Sequence, residues 1–152
     1  MLRRFLGEHS IGKRGFLVIA ILFVSVFGWH YMAMSLINRI LSDLNLGHTL
    51  NLAIWATFYV SIVGSSILGT FLSNKVGRLK FLYAWIVLGV VISFLPALLT
   101  NVTFLHVWSM SLLLGASFGL GIPSCLAYFA DCTIVENRGR IGGITFLIAN
   151  IS

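Results

Sequence analysis

Charge is what this chain has least of. Of its 152 residues only 9% are Asp, Glu, Lys or Arg, against roughly 25% in ordinary soluble domains. Acids are scarcest: Glu8, Asp43, Asp131 and Glu136 are the full set, all at the edges of apolar runs, so no paired carboxylates stand ready for acid–base chemistry. The four histidines fall at 9, 30, 48 and 106, with no pair at the spacing of helical metal ligands. Phosphate loops, dinucleotide fingerprints and nucleophile elbows are missing too, and the expectation is a protein that is no enzyme, carries no metal and needs no cofactor. The two cysteines, Cys125 and Cys132, are seven residues apart, about 10 Å on a helix, which is too far for a disulfide within the chain.

What remains is apolar. Hydrophobic residues make up 59% of the chain. Uncharged runs cover 15–38, 44–74 and 81–130, and a last one starts at 141. About 20 apolar residues as helix cover a hydrocarbon core, so the first two runs hold one span each and the third holds two. The third divides at "LPALLTNVTF", where Pro96, Thr100, Asn101 and Thr103 interrupt it. The expected fold is an all-α membrane protein with helices near 15–38, 50–72, 80–99 and 104–130 and an incomplete fifth at 141–152. A signal peptide would have a shorter apolar part ending at a small-residue cleavage site, so the first run is read as a retained span. Asn101-Val102-Thr103 has the form of a glycosylation acceptor but lies in a very short loop beside the membrane, and is read as a turn.

The net charge of +6 comes from clusters between the runs, not from one exposed face. Arg3, Arg4, Lys13 and Arg14 precede the first run, Lys75, Arg78 and Lys80 separate the second from the third, and Arg138 and Arg140 follow the fourth helix. Arg39 alone falls on the other side. The positive-inside rule then puts the amino terminus and the 2–3 and 4–5 loops in the cytoplasm, and nucleic acid is not an expected partner.

Small residues recur where helices could approach closely. Ser61, Ser65 and Gly69 repeat every fourth residue in the second helix, with Gly64 and Ser66 beside them. In the fourth, Gly115 and Gly119 form one step, and Ser117 and Gly121 a second, before Pro123 removes a backbone donor and predicts a kink. Among ionisable groups at membrane depth, His30 in "FGWHYMAM" stands out. Two readings stay open: with Asn38 it faces a polar cavity and binds solute or carries a proton, or it is a neutral histidine bonded to another helix. Tyr59 and Tyr128 are cavity candidates by the same logic, or else packing residues. Trp85, Trp108 and Tyr83 read as members of the interfacial aromatic belt.

The segment "GTFLSNKVGRLKFL" resembles the signature G-x-L-A-D-R-x-G-R-R between helices 2 and 3 of the major facilitator superfamily. Aligned on Gly77-Arg78, Asn74 takes the acidic position, Lys75 the first basic one and Thr70 the first glycine's place, with Lys80 one residue late. "LLLGASFGLGIPSCLAYFADCTIVENRGRIGG" is similar to the family's helix 4 and its exit, with Tyr128, Asp131 and Arg138-Gly139 in the matching places and Ser111 where many members carry arginine. The resemblance implies the amino-terminal part of a twelve-helix secondary carrier in the plasma membrane, working by alternating access on a small solute, with proton coupling as one option. It further implies a cytoplasmic gate of Asn74, Lys75, Gly77, Arg78, Asp131 and Arg138, in which Arg78 pairs with Asp131 or Glu136. The missing partners would be the later helices of the same carrier. The alternative of another class is a small four-helix membrane scaffold or assembly subunit without transport activity.

Overall fold

A computed structural model describes residues 13–98, 102–133 and 135–151. Arg3, Arg4, Glu8 and Asn101 lie outside them, as do the side chains of Lys13, Arg14 and Glu136.

The described residues are helical almost throughout: α1 is Lys13–Leu44, α2 His48–Val76, α3 Arg78–Phe94, α4 Phe104–Cys132 and α5 Val135–Ile151. Four helical segments, Leu17–Leu44, His48–Val76, Arg78–Ala97 and Phe104–Cys132, are long and apolar enough to cross a membrane. The chain is thus all-α and has the character of a multi-span integral membrane protein. A 3-10 turn, Leu95–Leu98, ends the third span where Pro96 was expected to interrupt it.

Helix ends run past the charged residues that bound the uncharged runs. α1 continues past Arg39 to Leu44, since one exposed arginine can extend its head group toward water without breaking a helix. It stops where Asn45 adopts a positive φ of 45° and Gly47 opens α2. α5 starts at Val135 instead of 141, because the charges of Glu136, Arg138 and Arg140 bound the apolar run without breaking the helix. Charge limits a membrane span; it does not limit a helix.

By packing, the chain forms two compact units, Met32–Ser124 and Met1–Tyr31 with Cys125–Ser152. In the larger unit, Ile54 and Phe58 of α2 and Val107 of α4 are fully buried. The smaller unit is held by Ile19 and Phe23 of α1 against Phe129 of α4 and Ile141 of α5. Phe23 meets Phe129 and Phe146 edge-on, with ring centroids 5.8 and 5.3 Å apart. Such offset and edge-on pairs add to burial alone.

Candidate functional site: the helix joints and the small-residue seam

α2 and α3 are joined by Gly77 alone. Its φ of 94° and ψ of 131° fall outside the left-handed helical well expected for a helix cap, in a region that L side chains rarely adopt. The Gly77 N–H closes α2 by donating to Ser73 O (3.1 Å), and its carbonyl opens α3 by accepting from the Phe81 N–H (3.0 Å). A Cβ at this position would touch nothing, so it is conformation and not space that requires glycine. Asn74, Lys75 and Lys80 are exposed around the joint and Arg78 is half-buried.

At the far end of α4, Asp131 is exposed in the last turn. Arg138, from the first turn of α5, reaches back to that terminus: its guanidinium donates to Ala130 O (2.8 Å) and Thr133 O (3.4 Å). These are orphan carbonyls at the negative end of a helix dipole, where a cation is favoured. Arg138 therefore caps α4, a contact the expected gate role did not include. Arg78 belongs to the larger unit and Asp131 to the smaller.

Within the larger unit the small residues of α2 and α4 face one another. A Cβ on Gly115 would overlap Ser61 Oγ and Phe58 O, one on Gly119 would overlap Ser65 Oγ and Ile62 O, and one on Gly69 would overlap Leu120 O. Backbone lies against backbone along this seam. Ser61 and Ser65 return their hydroxyls to α2, donating to Phe58 O (2.8 Å) and Ile62 O (3.1 Å). Side-chain bonds also cross from one helix to the other: Ser111 Oγ donates to Ile54 O (2.8 Å), Ser66 Oγ to Gly119 O (3.1 Å), and Trp108 Nε1 to Thr57 Oγ1 (2.9 Å).

Gly121 faces α3 instead of α2. Its missing side chain leaves room for the indole of Trp85, whose Nε1 donates to Ser117 O at 2.6 Å. Trp85 is buried, which corrects its reading as a belt residue. It lies two turns into α3, with its ring in the space that Gly121 leaves open. Trp108, by contrast, is partly exposed one turn into α4, and Tyr83 is exposed.

The candidate solute residues have varied surroundings. His30 is half-buried on α1, its ring 6.0 Å from that of Tyr31. Asn38 is exposed two turns on, where its carbonyl accepts from Ser42 Oγ (3.0 Å). Tyr59 is about half exposed (49%) and stacks on Trp55, 6.1 Å between centroids. Tyr128 packs against the Phe23–Phe129 core. A shallow depression of about 310 Å³ lies between α2 and α4, lined by Ala56, Thr57, Val60, Ser61 and Leu112. None of His30, Asn38, Tyr59 and Tyr128 lines it. Among the described residues no three His, Cys, Asp or Glu side chains come together as a metal site, and both cysteines are free.

No protein-family profile, no curated protein and no solved structure matches this chain.

Proposed function

We propose that the chain is the amino-terminal part of a secondary carrier of the major facilitator type, moving a small solute across a cell membrane by alternating access. One observation carries the reading. The segment that resembles the family's 2–3 signature folds as two membrane-length helices meeting at Gly77, in a backbone conformation suited to glycine, with exposed cations on both sides. A single-residue joint lets two spans pivot while keeping their ends together, which suits a gate. Asn74 stands at the acidic position of that signature, so this gate would lack a charge that relatives of that type use to hold the cytoplasmic side shut. Arg78 would pair with Asp131 or Glu136 in the closed state. His30, Asn38, Tyr59 and Tyr128 would contribute to the solute path together with helices that follow α5.

Solute uptake by the full-length gene, expressed in cells and challenged with sugars, amino acids, organic anions and drugs, tests the reading. At least one class should accumulate above the empty-vector level, and Arg78→Ala should reduce the rate about tenfold or more, the cost of one charge-assisted contact. Uptake of none, together with a reading frame that ends at Ser152, would favour the four-helix scaffold.

A further inference from the structure

Pro123 stands inside α4 and has no backbone N–H. In an uninterrupted helix that N–H would serve the carbonyl of Gly119, four residues back, and the pyrrolidine ring also crowds that oxygen. Lipid offers no replacement donor, so a neighbouring helix has to. Ser66 of α2 does so, with its Oγ 3.1 Å from Gly119 O. The next carbonyl, Leu120 O, also points at α2 and occupies the space that a side chain on Gly69 would take. From α3, Trp85 Nε1 takes Ser117 O, and its indole covers Gly121. Two carbonyls just before the proline thus take donors from other helices, and a third packs against Gly69.

Ser66 has one hydroxyl proton and two acceptors. Ile62 O, in its own helix, is 2.7 Å away, closer than Gly119 O. Only one of them can hold the proton at a time. Back-bonding to Ile62 is open to Ser66 in any arrangement of the helices, whereas the bond to Gly119 exists only while α4 lies against α2. The geometry points to Ser66 as a latch on a hinge in α4 at residues 119–123. With its proton on Gly119 O the segment is held to α2; with the hydroxyl turned to Ile62 O the segment is released to bend about Pro123. Ser66 keeps a hydrogen bond in both states; Ile62 O is shared with Ser65 Oγ (3.1 Å), so the Gly119 carbonyl and that competition together set the bias. The division of the chain into its two compact units falls between Ser124 and Cys125, one residue past the proline. The latch stands on helix packing and does not depend on the chain being a carrier.

The test is a double-mutant cycle on the whole chain in lipid nanodiscs, read by the rate at which a small thiol reagent alkylates the buried Cys125 in a Cys132→Ser background. With Pro123 present, Ser66→Ala should speed alkylation about threefold, the factor that corresponds to an average interhelical hydrogen bond in a membrane. Ser66→Thr, which retains the hydroxyl, should keep the original rate. In the Pro123→Ala protein the restored N–H serves Gly119 O, and Ser66→Ala should change nothing. Pro123→Ala alone should slow the reaction, and this second reading remains if Ser66→Ala does not fold. Equal acceleration by Ser66→Ala in both backgrounds, no acceleration with Pro123 present, or a Pro123→Ala protein that reacts as fast as the parent overturns the latch.

Discussion

Trp85 and Arg138 each tie one helix to another with a single polar group. Trp85→Phe keeps most of the ring against Gly121 and removes only the N–H that Ser117 O accepts. Thermal unfolding in detergent should show a loss of about 0.6 kcal/mol, and not much above 1.7, the range for hydrogen bonds between membrane helices. Arg138→Ala removes a charged cap from α4 and should cost about 1.5–3 kcal/mol by the same measurement. Arg138→Lys should recover most of it, because both contacts come from one nitrogen, Nη2, and an ammonium also carries several donors on a single nitrogen. Neither partnership is legible in the sequence. A tryptophan near a helix end fits the membrane interface equally well, and an arginine after the fourth helix fits the positive-inside rule equally well. What decides is which neighbour the helix presents, and the local pattern does not contain that.

Glycine does different work at different points along these elements. Gly119→Ala would drive a methyl into Ile62 O, a backbone atom that cannot rotate aside, and should destabilise by about 1–3 kcal/mol through separation of α2 and α4. Gly64→Ala, on the same α2 but facing open space, should be neutral or stabilising by up to about 1 kcal/mol. A chemical-denaturation series on the two variants separates seam from bystander; equal effects would mean that the seam does not hold the helices together. Gly77→Ala should cost about 1–3 kcal/mol for a different reason, its positive φ, since no atom lies within reach of the added carbon. The spacing of Ser61, Ser65, Gly69, Gly115 and Gly119 is readable from the chain because a helical seam needs small residues at every fourth position. The turn of Gly121 toward α3 is not, because a one-dimensional pattern gives the face and not the partner. Helix ends are also poorly marked: charge at Arg39 and at residues 136–140 bounds the apolar run, while the backbone continues into water as helix.

At the scale of the molecule, four helices are long and apolar enough to cross a membrane, and the proposed carrier would thread them in alternating direction. The count is legible in the sequence, since apolar runs of this length have few other stable outcomes. The proposed solute path is not, because His30, Asn38, Tyr59 and Tyr128 are spread along helices whose polar faces take their meaning from what packs beside them. Alternation makes a specific demand on the joints. The positive-inside rule predicts Gly77 on the cytoplasmic side with the cations around it and the Asn45–Gly47 turn on the opposite side. Single cysteines at Lys75 and Gly47, both exposed and Gly47 with room for a side chain, can be placed in a chain carrying Cys125→Ala and Cys132→Ser. A membrane-impermeant thiol reagent added to intact cells should label Gly47→Cys and leave Lys75→Cys untouched until the membrane is opened. Labelling of both positions from the same side would contradict the account.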